Sequence, residues 1–224
     1  MDLVQNLLQA ETKAAQLFTE AETRGYICAQ QTENELNTKM YALAFEMFGI
    51  KKYWHKRIVR AGANTLLPYK DNPPNLTIQA DDILFFDFGP VFEDWEADFG
   101  RTFVIGTNAN KLKIKADIET AWHLGHAYFK ANYTTLTGAD LYTFICNLAT
   151  EYGWHYGNEH CGHLIGIFPH EKLQGEKTVN YIHPANNILM CAPDDNGNPR
   201  HWILEIHFVD LVNGYGGFFE QYMF

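Results

Sequence analysis

The sequence predicts an α+β fold made of two successive units, each with two helices followed by β-strands. Three observations predict it: helical spacing of apolar residues in four segments, β-forming runs after each helix pair, and turn signals that fold those runs into hairpins. Two such units suggest a duplication with approximate two-fold symmetry, with halves at about residues 1–106 and 107–224, although the same order can arise without duplication. Because no Pro-, Gly- or Ser-rich linker separates the halves, we expect a single domain with one core.

The first unit opens with two helices. Apolar side chains recur at the spacing of one helical face through residues 2–24, and Gly25 is well placed to end that helix. Thr32 followed by Glu35 forms a capping box, the usual start of a helix. The second helix should therefore begin after Thr32 and run to Gly49.

The second unit opens in the same way. Residues 110–130 and 138–152 both show helical spacing of apolar side chains. Thr137 and Asp140 can cap the second of these helices, and Gly153 can close it. Strand-like segments follow, as they do in the first unit.

A hairpin follows the first helix pair. The run Asp82–Phe92 is rich in β-forming residues, and residues 98–105 form its return strand. Alternation places Asp87 on one face of an otherwise apolar strand, where a carboxylate needs a partner. If the turn is centred on residues 92 and 93, Asp98 lies directly across from Asp87, with Cβ atoms about 4.5–5.5 Å apart. The repulsion between two such carboxylates must be relieved by protonation of one acid or by a bound cation.

A second hairpin near the C-terminus adds two more acids. A strand leads into the turn signal at residues 213–214, Asn-Gly, which is typical of a two-residue turn. Counting outward from that turn, His207 faces Glu220, and Glu205 lies on the diagonal of the same face. A bulge at one of the glycines after the turn would change this register.

Two histidines can complete a metal site built on these acids. His163 and His170 lie between apolar residues in the segment 162–171, where glycines let the backbone approach a ligand closely. Two divalent ions would balance four carboxylates, and oxygen-rich ligation with one imidazole suits manganese, iron(II), cobalt or zinc. Two metals about 3.5–4 Å apart can deprotonate a bridging water and hold a carbonyl oxygen, which is what amide hydrolysis requires.

The bulk composition limits the partners of such a site. The 17 basic residues are outnumbered by 27 acidic ones, and a net charge of -10 repels nucleic acid and anionic membranes. Neither a basic, apolar leader nor an apolar run long enough to span a bilayer occurs, so we expect a cytoplasmic protein without membrane association. The four cysteines show no C-x-x-C spacing, which favours reduced thiols over a disulfide framework or a thiolate zinc site.

Several acid- and histidine-containing motifs follow one another along the chain. They are Asp87-Phe-Gly, Asp98-Phe-Gly-Arg101, Gly162-His163-Leu-Ile-Gly166, His170-Glu171, Glu205 and Glu220. In order and spacing they resemble the pita-bread metallopeptidases, the family that contains methionine aminopeptidases, aminopeptidase P and prolidase. The resemblance covers nearly the whole chain. It implies a pita-bread fold, in which a curved and mostly antiparallel sheet carries the site.

The resemblance also implies how two divalent metal ions would be held. By that likeness Asp87 chelates one metal, and His163 and Glu205 chelate the other. Asp98 and Glu220 bridge the pair. The same likeness implies an enzyme whose partner is a short peptide substrate, and it leaves open assembly as a homodimer.

Two histidines are candidate catalytic groups. The resemblance implies that His170 contacts the scissile carbonyl or its tetrahedral intermediate. His207 stands where the family commonly has a glycine, in the sequence Glu-Pro-Gly, and it is a candidate proton carrier or substrate contact.

The substrate expectation comes from residues 60–69, which resemble the Xaa-Pro branch of the family. We therefore expect hydrolysis of short peptides by an Xaa-Pro aminopeptidase or dipeptidase. Besides His207, two departures from the family pattern bear on activity: Pro68 stands where relatives usually have a substrate-facing histidine, and Phe218 stands where an arginine is common. Prolidase-like relatives usually carry an N-terminal domain, whereas we expect residues 1–224 to form the catalytic unit without an accessory domain.

Other hypotheses for the function of these residues stay open. A creatinase-like enzyme on the same fold would cleave a non-peptide C–N bond with histidine chemistry and without metal, and a binding module would hold a peptide or protein without catalysis. His55, His160 and His201 are interpreted as surface or structural groups. Arg101 is interpreted as an ion-pair partner of one of the acids.

Overall fold

The computed structural model describes residues 3–170 and 177–224, and these form four α-helices. Asp2, where the first predicted helix begins, and Glu171, which belongs to one of the motifs, lie outside the described residues. None of the helices in the described part combines the length and apolar character needed to cross a membrane. The helices are α1 (Leu3–Thr23), α2 (Glu33–Phe48), α3 (Ala109–Asn132) and α4 (Gly138–Tyr152).

The predicted helix caps are confirmed. The backbone N–H of Glu35 donates to Thr32 Oγ1 at 3.2 Å, and the backbone N–H of Thr32 donates to the Glu35 carboxylate at 2.7 Å. Thr137 and Asp140 form the same reciprocal pair at the start of α4. A glycine in the left-handed conformation ends both capped helices.

Six strands of the described chain form one antiparallel sheet with the order β1-β2-β5-β8-β7-β6, and β3 and β4 form a separate ribbon. The first half of the chain supplies β1, β2 and β5, and the second half supplies β8, β7 and β6 in mirrored order. This arrangement confirms the predicted α+β fold with its repeated order of elements. The strands are β1 (Ile58–Ala61), β2 (Ile83–Phe88), β3 (Val91–Phe92), β4 (Trp95–Glu96), β5 (Phe99–Val104), β6 (His155–Tyr156), β7 (Ile203–Asp210) and β8 (Tyr215–Tyr222).

Strand residues alternate between a face covered by helices and a face that carries the site. Phe86 of β2 packs under α1, where its ring meets that of Phe18 edge-on at 5.3 Å between centroids. Leu204 of β7 lies in a second core with residues of α3 and α4. The neighbouring side chains of Asp87 and Glu205 point to the opposite face, because successive residues of a strand alternate.

The first hairpin has a different register from the predicted one. Its two-residue turn lies at residues 93–94, one position later than expected, because β3 and β4 pair up to the turn. The first turn residue takes the positive φ, 60°, that a tight hairpin turn needs. Asp87 therefore pairs with Gly100, and the prediction that Asp98 lies directly across from Asp87 was wrong. A shift of two residues keeps Asp98 on the same face, diagonal to Asp87.

The second hairpin also differs from the prediction. Its turn is a four-residue loop at 211–214 rather than a two-residue turn. The Asp210 carboxylate stabilises this loop by accepting hydrogen bonds from two of its backbone N–H groups, at 3.0 and 2.9 Å. Glu205 therefore lies directly across from Glu220, and the prediction that His207 occupies that place was wrong.

Candidate metal centre

One row of residues crosses the four central strands of the sheet. Asp87 on β2 pairs with Gly100 on β5, and Gly100 pairs in turn with Glu220 on β8. Glu220 then pairs with Glu205 on β7. Because neighbouring strands lie about 4.8 Å apart, the row brings three acids from both halves onto one line, with a gap at the glycine.

Gly100 keeps this gap open. A Cβ atom at that position would lie 2.6 Å from the Phe218 ring and 2.9 Å from the Glu220 Cβ atom, and both distances are shorter than side chains tolerate. Asp98, two residues earlier in the chain, adds a fourth acid on the same face and is 2% exposed. Only glycine at position 100 allows the acids to approach one another this closely.

Asp98 lies between two histidine side chains. Its Oδ2 atom is 3.1 Å from His163 Nε2, and its Oδ1 atom is 3.1 Å from His55 Nε2. His163 Nε2 also lies 3.5 Å from Glu205 Oε1, and His55 Nε2 lies 3.5 Å from Asp87 Oδ1. The structure thus brings four of the five expected metal ligands together and adds His55 to them.

Glu220 completes the group. Its Oε1 atom is 3.7 Å from His163 Nε2. Its Oε2 atom is buried and has no hydrogen-bond partner among the described residues. A buried carboxylate oxygen without a donor is costly, so this atom is placed to bind a cation.

Burial changes the protonation of these acids. It raises the pKa of Glu205 to about 8 and the pKa of Asp87 to about 6, and it holds the pKa of Glu220 well above its usual range. Burial acts on Asp98 as well, but the imidazoles of His55 and His163 outweigh it and lower the pKa of Asp98. Without a cation, the site would therefore keep protons on several of its carboxylates.

The donor set fits divalent metal ions. Separations of 3.1–3.7 Å between donor atoms are those of ligands that share an ion about 2.0–2.2 Å from each of them. Two groups of donors converge in this way, and Asp98 belongs to both, as a bridging ligand would. The groups are His55 with Asp87 and Asp98, and Asp98 with His163 and Glu220.

His170 lies at the wall of the same pocket and is held by Glu96 of β4. The His170 Nδ1 atom contacts the Glu96 carboxylate, which also accepts the backbone N–H of His170 at 3.1 Å. Glu96 is 1% exposed, so solvent does not compete for this contact. The ring of Trp54 packs against both His170 and His163, with centroid distances of 5.3 Å to each. Because Nδ1 is bonded to a carboxylate, Nε2 is the atom of His170 left for a ligand.

A pocket of about 390 Å³ contains the row of acids and the histidines around it. The rest of its wall is largely apolar and is formed by Ile58, Leu67, Pro68, Phe85 and Phe218 among others. A concave site of this size, with a few polar groups in an apolar wall, is typical of small-molecule and peptide-sized ligands.

His207 lines this pocket, but one of its nitrogens is engaged by the backbone. Its Nε2 atom donates to the Thr65 carbonyl oxygen at 2.8 Å. Burial lowers the pKa of His207 to about 4, so the ring is neutral near pH 7. Its ring centroid lies 6.0 Å from that of Phe218. The candidate proton carrier is thus a neutral side chain in an aromatic part of the wall.

Arg101 does not form the predicted ion pair with an acid of the site within the described chain. Its guanidinium donates instead to the backbone carbonyl oxygen of Glu220 at 2.8 Å. It lies between the rings of Phe99 and Phe219, 3.7 Å from each centroid. Arg101 therefore connects β5 to β8, where the two halves of the chain meet.

Two residues of the site were not found from the sequence. His55 was interpreted as a surface or structural group, and a surface position was wrong, because its side chain is only 7% exposed and contacts two of the acids. Its one local signal is its place directly after Trp54, next to an apolar strand. Glu96 has a similar signal, since it is an acid in an otherwise apolar ribbon, but its partner His170 lies 74 residues away.

The chain matches the sequence pattern of metallopeptidase family M24 over residues 5–197. It is 24% identical over 170 residues to an Xaa-Pro dipeptidase from Pyrococcus horikoshii, in an alignment that covers 75% of this chain and 46% of the relative. The chain thus spans less than half the length of this curated relative.

Several solved structures share the fold of this chain. A prolidase from Pyrococcus furiosus matches with a TM-score of 0.74 and 19% identity, over 98% of this chain and 60% of that one. An X-Pro aminopeptidase from Thermotoga maritima matches with a TM-score of 0.73 and 22% identity, over 97% of this chain and 56% of that one. These likenesses confirm the predicted pita-bread fold.

Proposed function

The chain belongs to metallopeptidase family M24, and on that premise we propose that it hydrolyses peptide bonds in short peptides with a pair of divalent metal ions. The observation that carries the proposal is the convergence of four buried carboxylates on one pocket. Acids packed this closely must bind cations or keep protons, and the separations of their oxygens from the nearby imidazoles suit cations.

The contacts support an assignment of ligands to two ions. Asp87 would bind one ion, and His163 and Glu205 would bind the other. Asp98 and Glu220 would bridge the pair. Manganese, iron(II), cobalt and zinc suit such an oxygen-rich set with imidazole. When bound, the ions supply a Lewis acid for a carbonyl oxygen and lower the pKa of a water so that it is nucleophilic at neutral pH.

His170 is placed to stabilise charge on the substrate. Its Nδ1 atom contacts the Glu96 carboxylate, and this contact fixes the orientation of the ring. A ring with hydrogens on both nitrogens can donate from Nε2 to the oxygen of the scissile carbonyl as negative charge develops there. His207, neutral and buried beside Phe218, is suited to contact the substrate rather than to carry charge.

The pocket wall supports a substrate class. The apolar side chains of Ile58, Leu67, Phe85 and Phe218 lie beside the acids and suit a compact, apolar residue next to the scissile bond. A proline ring has these properties, and the similar proteins named above are described as Xaa-Pro enzymes or a prolidase. We therefore propose an Xaa-Pro aminopeptidase or dipeptidase that acts in the cytoplasm.

Hydrolysis of a defined peptide panel tests this function. Protein loaded with manganese or cobalt should cleave Xaa-Pro dipeptides and tripeptides, and Xaa-Ala peptides of equal length should report whether proline is required. A chelator should abolish the activity, and the Asp98→Asn variant should lack it. Asp195→Asn is the matched control, because it removes an exposed acid that pairs with Lys177 outside the pocket.

Two results would point to other functions. Hydrolysis of a non-peptide C–N bond by fully metal-free protein would favour a creatinase-like enzyme. Absence of turnover on the whole panel with both metals bound would defeat the peptidase proposal and would favour a peptide-binding module.

A further inference from the structure

Two imidazoles approach Asp98 in the same way, each through a different carboxylate oxygen. His163, which belongs to the expected ligand set, has its Nε2 atom 3.1 Å from Asp98 Oδ2. His55 has its Nε2 atom 3.1 Å from Asp98 Oδ1 and 3.5 Å from Asp87 Oδ1. A carboxylate that bridges two ions through its two oxygens would place each imidazole beside a different ion.

The same nitrogen is presented in both rings. The His55 Nδ1 atom lies 2.7 Å from the carbonyl oxygen of Lys56, and the His163 Nδ1 atom lies 2.8 Å from the carbonyl oxygen of Leu164. A carbonyl oxygen can only accept, so Nδ1 carries a hydrogen in each ring. A backbone carbonyl at one ring nitrogen is the contact that commonly orients the other nitrogen toward a metal.

The His55 ring is also held firmly in place. Its side chain is 7% exposed, and the ring of Trp54 lies 4.3 Å away between centroids. A Cβ atom at Gly89 would lie 2.2 Å from His55 Cδ2, so the glycine leaves the space that the imidazole fills. A ring fixed in this way loses little further freedom when it binds an ion.

From these contacts we propose that His55 is a further metal ligand, which binds the ion held by Asp87. The inference deepens the proposed function and rests on it for the presence of the metal pair. Each ion would then have an imidazole and a carboxylate of its own, with Asp98 and Glu220 shared between them. The first half of the chain supplies Asp87 with His55, and the second half supplies Glu205 with His163.

Titration of metal-free protein with cobalt(II) tests this assignment by calorimetry and by the visible absorption of the bound ion. We expect two binding events in the wild type. His55→Ala should weaken one of them by at least about 10- to 100-fold, which is the loss typical even of outer contacts of a metal ligand, and should leave the other unchanged. His201→Gln is the matched control, because it removes a buried imidazole that contacts Tyr222 outside the pocket.

A cobalt-loaded crystal structure gives a second readout. Anomalous peaks should show an ion about 2.0–2.2 Å from both His55 Nε2 and an Asp87 oxygen. If His55→Ala does not fold by circular dichroism, His55→Gln replaces it, since the amide can keep a hydrogen bond to Asp98 without an imidazole. The same weakening is expected.

Unchanged cobalt affinities and an unchanged absorption spectrum in a folded His55 variant would overturn the assignment. A bound ion at Asp87 with His55 Nε2 outside ligand distance would overturn it as well. These measurements do not depend on peptide turnover. A protein that binds cobalt through His55 but cleaves no peptide would therefore defeat the proposed function while leaving the role of His55 intact.

Discussion

The two halves of the chain supply similar donors by different structural means. The first half places Asp87 and Asp98 with one short hairpin, in which β2 and β5 stay in register up to a tight turn. The second half places Glu205 and Glu220 with a hairpin too, but His163 comes from residues 157–170, which follow β6. Regular pairing thus fixes the acids of both halves, whereas the expected histidine ligand depends on a less regular part of the chain.

The halves meet at a boundary that side chains hold together. Between β5 and β8 the described strands share one registered residue pair, Gly100 with Glu220. Beside it, the Thr102 hydroxyl donates to the Phe218 carbonyl at 2.8 Å and accepts from the Phe218 N–H at 2.7 Å. Arg101 adds its hydrogen bond to the carbonyl of Glu220. The acids therefore converge only where the halves are joined, so neither half alone forms the site.

The largest expected effect comes from removing Asp98, the acid that is proposed to bind both ions. Asp98→Asn should leave no metal bound after desalting and should lower kcat/KM by about 10³-fold or more, equivalent to about 4 kcal/mol of activation free energy. Glu205→Gln should keep one metal, because Glu205 contacts the donors of one ion position only. Elemental analysis of the desalted variants, together with their kinetics, checks both expectations.

Asp195→Asn serves again as the control and should keep both metals. If Asp98→Asn also retained two metals, Asp98 would not be shared between the ion positions. If Glu205→Gln lost both metals, the two halves would not hold their ions separately. Either result would show that the two halves do not divide the metal ligands as proposed.

A smaller effect is expected at the contact through which the first half positions His170 of the second half. Glu96→Gln keeps the shape of the side chain but replaces the charged acceptor that orients the His170 ring. We expect kcat to fall about 10- to 100-fold, with little change in KM, because the lost interaction acts mainly in the transition state. Steady-state kinetics on an Xaa-Pro peptide measures the two constants separately.

Metal content distinguishes this positioning role from a structural one. Glu96→Gln should bind two metals like the wild type, since Glu96 contacts His170 and the backbone N–H groups of Gly166 and His170, and neither residue is an expected metal ligand. Glu22→Gln, an exposed acid on α1, is the control and should leave kcat unchanged. Loss of metal together with activity would show that Glu96 supports the site as a whole.

Much of the fold was predictable because it depends on neighbours in sequence. The capping boxes at Thr32 and Thr137 need only a side chain three residues later. Strand alternation alone places Asp87 and Glu205 on the face opposite the helices. The order of helices and strands follows from the same local patterns, and so does the α+β fold.

The registers and His55 could not be predicted because they depend on distant or competing contacts. The first turn moved by one position because pairing of β3 with β4 extends the hairpin, and the second lengthened because the Asp210 carboxylate binds the loop backbone. His55 lies 43 residues from Asp98, and the packing around Trp54 brings the two together. No local pattern in the sequence reports such a contact.

The smallest expected effect is on the pH dependence of stability in the metal-free protein, where the acids of the two halves should titrate at different pH. Burial raises the pKa of Glu205 from 4.5 to about 8 and the pKa of Asp87 from 3.8 to about 6. The folded protein thus keeps protons that the unfolded chain releases at lower pH. Each acid's favourable contribution to stability is present below its unfolded pKa and is lost as pH rises through its folded pKa.

Glu205→Gln should therefore reduce the fall in the free energy of unfolding with pH up to about pH 8. Asp87→Asn should reduce it only up to about pH 6, because Asp87 is already ionised above that pH. Chemical denaturation of metal-free protein across this range measures the slope, which is at most about 1.4 kcal/mol per pH unit for one group. Saturating metal should remove the difference, because bound ions stabilise the ionised acids of both halves. Asp87 should no longer titrate above pH 6. If the free energy of unfolding changed equally with pH in the two variants there, burial would not act more strongly on Glu205 than on Asp87.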